Sequence, residues 1–149
     1  MKTPKEIRRE ILEMAMETGI NHIASSLSVV EILCVLFSIA GDNDKIILSK
    51  GHGCLGYYIL LQEKGYNPPL KAHPDIDIKN GIECTTGSLG HGLPIAVGMA
   101  LAKKIKKEEG NIYVLMGDGE CQEGTTWESL LIAHQHKLDN LFLFVDYNR

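Results

Sequence analysis

Asp118 lies between two glycines, directly after the apolar run Ile112 to Met116. Asn148 follows a second apolar run, Leu141 to Val145, about thirty residues later. A carboxylate and an amide oxygen are hard donors suited to Mg²⁺ or Ca²⁺, and Mg²⁺ commonly completes its shell with phosphate oxygens and water. The two residues can share one ion if their runs are parallel strands joined by a helix. A βαβ unit brings both carboxyl ends to one edge of the sheet, where open α/β sheets bind ligands. The chemistry implied is a cation bridged to a diphosphate, with Gly117 and Gly119 letting the backbone of the turn come close to it. The plainer reading of Gly117-Asp118-Gly119 is a strand ending in a tight turn.

Three histidine-bearing segments precede this unit. Ser49-Lys50-Gly51-His52-Gly53 follows a short apolar strand, Lys45 to Leu48, and leads into a helix, Leu55 to Glu63. That arrangement sets a cation, an imidazole and a helix N-terminus against an anion, although an ordinary strand-to-helix turn is the alternative. Gly65 to Thr86 is rich in turn formers and contains His73-Pro74-Asp75. A loop of this length in a compact domain is usually functional or disordered, and function is the reading favoured here. It runs into Thr86-Gly87-Ser88-Leu89-Gly90-His91-Gly92, ahead of a helix from Ile95 to Lys107. His22 lies in the loop between the first two helices, where a surface or capping role is the default.

These blocks, in this order and at these separations, resemble the transketolase family of thiamine-diphosphate enzymes. The matching segments are His22 before Ser25-Ser26-Leu27-Ser28, Ser49-Lys50-Gly51-His52, His73-Pro74-Asp75 with Thr86 to Gly92, and Gly117-Asp118-Gly119 with Asn148. The resemblance implies thiamine diphosphate as cofactor, with Mg²⁺ (or Ca²⁺) held by Asp118 and Asn148. It further implies cofactor contacts from His52, Gly87, Ser88, Leu89 and Gly119. His22 and His73 would face the ketose, in positioning or proton transfer, since an imidazole titrates near neutrality. Glu123 matches a family glutamate in an acidic relay between the two active sites of a dimer, with an exposed loop glutamate as the alternative. His91 is structural or supports a neighbouring contact.

The activity so implied is transfer of a two-carbon ketol unit between sugar phosphates. In the family a glutamate from a separate pyrimidine-binding domain activates the cofactor, and a main-chain carbonyl two residues beyond the asparagine completes the metal shell. The expectation is therefore an N-terminal diphosphate-binding half, incomplete at its C-terminus, that works in an oligomer with a C-terminal transketolase subunit. The rival reading is a noncatalytic remnant or cofactor-binding module. A different nucleotide enzyme is disfavoured, because neither a G-x-G-x-x-G after a strand nor a P-loop lysine motif is present.

The elements that must position these residues are those of an α/β fold, a parallel sheet flanked by helices on both faces. At 149 residues the chain has the size of a single domain, 1–149. With 44% hydrophobic and 23% charged residues it is not of the disordered class. Thr3-Pro4-Lys5-Glu6, Ser28-Val29-Val30-Glu31 and Thr125 to Glu128 read as capping boxes that start helices. Trp127, Leu130, Leu131, Ala133 and His134 share one broad side of the last helix, which predicts Trp127 in the core. His134 and His136 cannot chelate one metal from different helix faces.

The net charge is −4, and the basic run Lys103 to Lys107 meets Glu108-Glu109 at a helix end, so nucleic acid is not an expected partner. The longest strongly apolar stretch, Val29 to Ala40, is too short for a membrane span, and the charged N-terminus lacks a signal-peptide core. Four scattered cysteines with no C-x-x-C pair signal neither zinc nor a disulfide framework. A cytoplasmic protein is the expectation.

Overall fold

The computed structural model describes residues 2–148. By their contacts these residues form two compact units, one built from the residues up to Ile39 with Gly51–Gly87, the other from Ala40–Lys50 with the residues from Ser88 onward.

The first unit is helical. Helix α1 (Pro4–Thr18) opens on the expected capping box: Glu6 N–H donates to Thr3 Oγ1 at 3.3 Å and Thr3 N–H to Glu6 Oε2 at 2.8 Å. Ile7, Ile11, Met14 and Ala15 form its buried side. Short α2 (Ile23–Ser28) and α3 (Val30–Ile39) follow. Ser28 closes α2, and α3 opens two residues later and ends at Ile39, where the sequence placed its end. Val29, between the two helices, is buried, as is Val30 at the start of α3. The Glu31 carboxylate accepts from Arg8 Nη2 at 2.6 Å.

Helix α4 (Cys54–Glu63) is buried from Cys54 to Leu61 and is contacted by α1, α2 and α3. A helix apolar on all sides belongs in the centre of its unit. Its two tyrosines also order the irregular stretch that follows: Tyr57 OH donates to Gly81 O at 3.0 Å and Tyr58 OH to Lys71 O at 3.1 Å. Within that stretch, the regular features are a 3₁₀ turn, Ile78–Asn80, and an antiparallel bridge between Asp77 and Ile82.

The second unit holds a parallel sheet in the order β1 (Lys45–Leu48), β2 (Ile112–Gly117), β3 (Leu141–Asp146). Lys45 pairs with Ile112, Ile112 with Leu141, and Gly117 with Asp146. Central β2 is buried from Ile112 to Met116, and Tyr113 stacks on Phe142 with ring centroids 5.4 Å apart. Helix α5 (Gly92–Lys106) contacts all three strands, and α6 (Gly124–Gln135) packs on α5. The βαβ unit and the α/β class are those expected from the sequence.

Two expectations on α6 are corrected. The helix begins at Gly124, so Thr125 lies inside the first turn, and its Oγ1 donates to Gly90 O at 2.8 Å. Trp127 is 57% exposed, with Nε1 donating to Cys121 O at 2.8 Å. The side of α6 that is buried carries the small residues Thr126 and Ser129, which leaves the tryptophan and Leu131 outward.

Among the described residues no helix is long and apolar enough to cross a membrane, and the four cysteines are free thiols. Burial raises the Cys54 and Cys84 thiols from the ordinary 9.0 to about 11. Burial likewise pushes the Tyr57 and Tyr58 hydroxyls upward. The unfolded chain ionises the two thiols first, so the stability they carry is fully present below pH 9 and is lost as the pH rises through about 11. Melts followed by circular dichroism should show the midpoint falling steeply from pH 9 to 11, with a shallower fall in Cys84→Ala.

Candidate functional site

In the second unit the register of β2 and β3 places the two predicted cation ligands. Gly117 is opposite Asp146; Asp118 comes one residue later and Asn148 two residues after Asp146. Both stand at the carboxyl edge of adjacent strands. Asp118 opens a 3₁₀ turn, Asp118–Gln122, and its Oδ1 accepts the Gly119 N–H at 3.1 Å. A Cβ built on Gly119 would meet nothing within 4 Å, so the backbone at this point is open to approach.

The turn is held by a residue the sequence did not single out. Glu120 is 1% exposed; its Oε1 accepts from Ser49 Oγ at 2.6 Å and from Gly90 N–H at 2.9 Å, and its Oε2 from Gly117 N–H at 2.8 Å. One buried carboxylate thus ties the end of β1, the glycine-rich loop before α5 and the end of β2. Charge-assisted bonds of this kind are the stronger class. Gly90 has φ +79°, and a Cβ on it would lie 2.6 Å from Glu123 Cβ. The exposed Glu123 therefore packs on the loop that carries Ser88 and Leu89, both of them exposed. His91 is exposed at the start of α5 and makes no side-chain cap, and His134 and His136 are exposed on and after α6.

Asp146 was equally silent in the sequence. It is buried, forms a 2.6 Å ion pair with Lys50, and accepts from Asn148 Nδ2 at 3.0 Å. A lysine beside a histidine in Ser49-Lys50-Gly51-His52 was the available signal, but it did not reveal the partner.

In the first unit His22, His52 and His73 converge. The His22 ring centroid lies 5.8 Å from that of His52 and 5.6 Å from that of His73. His22 precedes α2, His52 sits in the turn Gly51–Gly53 before α4, and His73 is on the irregular stretch. Gly87 closes on them. Its φ is +130°, and a Cβ there would come within 2.9 Å of His73 Cδ2. Thr86 packs against Gly51, where a Cβ would be 2.7 Å from Thr86 Oγ1. That hydroxyl is buried and has no hydrogen-bond partner among the described residues. Three imidazoles beside an orphaned hydroxyl form a polar cluster suited to a ligand rich in oxygens.

A parallel sheet with an acidic glycine turn at its carboxyl edge defines a class, and the family described as "Transketolase, thiamine diphosphate binding domain" matches residues 38–149. The chain is 42% identical to an apulose-4-phosphate transketolase subunit of Actinobacillus succinogenes, over 99% of this chain and 62% of that protein. It is 39% identical to a 6-deoxy-6-sulfo-D-fructose transketolase subunit of a Clostridium species, over 96% of this chain and 60% of the other. Transketolase from Leishmania mexicana superposes with a TM-score of 0.85 at 25% identity, covering 97% of this chain and 27% of that one. The chain belongs to the transketolase family, as a thiamine-diphosphate-binding domain. It spans about three-fifths of the length of the two bacterial relatives it matches.

Replacing Glu120 by Ala strands the buried donors of Ser49, Gly90 and Gly117, and each buried bond left unmade costs about 1–3 kcal/mol. Urea unfolding of Glu120→Ala should show a loss of about 3 kcal/mol or more, with Glu120→Gln intermediate. A loss below about 1 kcal/mol would show that this carboxylate does not hold the edge.

Proposed function

We propose that this chain is the diphosphate-binding part of an enzyme that moves a two-carbon ketol unit between sugar phosphates, with thiamine diphosphate and Mg²⁺. The observation that carries the reading is the register of β2 and β3, which sets the Asp118 carboxylate and the Asn148 amide at adjacent strand ends in a member of this family. The donor set fits the group: a carboxylate oxygen and an amide oxygen are what Mg²⁺ or Ca²⁺ takes, and the open backbone at Gly119 admits a phosphate.

When bound, the cofactor supplies an electron sink for the carbanion left when the ketose C–C bond breaks. In the proposal Asp118 and Asn148 hold the cation, and His52 donates to the diphosphate. The backbone at Gly87, Ser88 and Leu89 contacts the cofactor. His22 and His73 orient the ketose hydroxyls and exchange protons with them, a task for which imidazole is suited. Glu123, exposed in the second unit, is assigned to the relay with a partner's site.

A second polypeptide belongs to the proposal. Two relatives are named as transketolase subunits. Trp127 and Leu131, 57% and 70% exposed and one helical turn apart on α6, form an apolar face of the kind that marks protein contacts.

Calorimetry with thiamine diphosphate, with and without Mg²⁺, tests the cation site. Binding should require the metal and should fall at least tenfold in Asp118→Ala; equal, metal-independent binding by both proteins would refute it. The partner requirement is tested by assaying the purified chain with a ketose phosphate, an aldose phosphate, cofactor and Mg²⁺, first alone and then with a C-terminal transketolase subunit. Turnover is expected only with both. Robust turnover by the chain alone would overturn the requirement, and absence of both turnover and cofactor binding with the partner present would favour a noncatalytic remnant.

A further inference from the structure

We infer that Lys50 and Asp146 are positioning residues that fix the orientation of the Asn148 amide, so that its oxygen and not its nitrogen is offered to the cation. The inference rests on the cation reading proposed above and assigns roles to two residues outside the ligand set. Lys50 follows β1 and Asp146 ends β3, strands that have no backbone pairing because β2 lies between them. The lysine stem passes Gly117, where a Cβ would lie 3.8 Å from both Cβ and Cδ of Lys50. Its Nζ reaches Asp146 Oδ2 at 2.6 Å, with the two side chains only 2% and 8% exposed.

An ion pair this deeply buried is not interchangeable with water contacts, because either charge left alone would be strongly destabilising. Asp146 Oδ2 is thereby held at one point, and the same oxygen accepts Asn148 Nδ2 at 3.0 Å. A carboxylate oxygen can only accept, so the amide must turn its NH₂ toward Asp146. The amide oxygen then points away from Asp146, and oxygen is the atom a hard cation needs. The ammonium on Oδ2 also argues against Asp146 as a ligand in its own right. Partners that orient metal ligands in this way typically change metal affinity 10- to 100-fold when removed.

The test uses the purified chain with thiamine diphosphate and Mn²⁺ as the probe, read by the electron paramagnetic resonance of free and bound Mn²⁺. Thermal melts and circular dichroism verify folding. Because Asp146→Ala alone would strand a buried ammonium, the informative variants are doubles that remove both charges. Lys50→Met with Asp146→Leu deletes the acceptor, whereas Lys50→Met with Asp146→Asn keeps an amide oxygen in its place. The inference expects the leucine double to bind Mn²⁺ about 10- to 100-fold more weakly and the asparagine double to recover a substantial part of that loss. Two folded doubles with wild-type affinity, while Asp118→Ala loses binding, would overturn the role of Lys50 and Asp146 and leave the cation site standing. Equal losses in both doubles would also overturn it, since the acceptor would then be irrelevant. Mn²⁺ binding that is absent in the wild type or unchanged in Asp118→Ala would remove the cation site and this inference with it.

Discussion

The second unit depends on one buried carboxylate. Glu120 gathers donors from the end of β1, from the loop before α5 and from the end of β2, segments far apart in sequence. Strand pairing aligns β2 with β3, but it says nothing about where the glycine loop or the turn after β2 should stand. The Glu120 bonds settle both. A charged acceptor with three donors is also intolerant of alternatives, because any other arrangement strands at least one buried polar group. The edge at which Asp118 and Asn148 emerge is consequently a fixed surface and not a set of independent loop ends.

The first unit achieves order by other means. Its long stretch between α4 and Gly87 has almost no regular structure, yet Tyr57 and Tyr58 reach out of the buried part of α4 to hold its carbonyls. Each tyrosine combines a large apolar body in the core with a hydroxyl that finds a partner at the rim. Order in this stretch is what lets His73 stand beside His22, and Gly87 beside His73, without a strand or helix to place them.

Much of this was legible from local sequence. The three strands, the βαβ unit and the long loop announced themselves through apolar runs, glycine turns and turn formers, and the motif blocks pointed to the family to which the chain belongs. What failed were inferences that needed to know what a side chain faces. Thr125 satisfies the pattern of a capping box, but Gly124 has already begun the helix, and Thr125 spends its hydroxyl on Gly90 O instead. Trp127 sits on an apolar side of α6, yet the helix buries its small side, a choice made by the close approach of α5 and invisible in the periodicity. Glu120 and Asp146 look like ordinary acidic residues until the fold supplies Ser49, Gly90 and Lys50. Sequence carries the positions of such groups but not their partners, which come from β1 and the loop before α5.

The exposed tryptophan has an optical consequence. Trp127 is the single tryptophan of the chain, and its indole N–H is bonded to Cys121 O, within the same short turn that Asp118 begins. Any rearrangement of that turn alters the polarity around one indole and nothing else that absorbs at the red edge of the protein spectrum. Its fluorescence is therefore an intrinsic reporter of the acidic edge that requires no label.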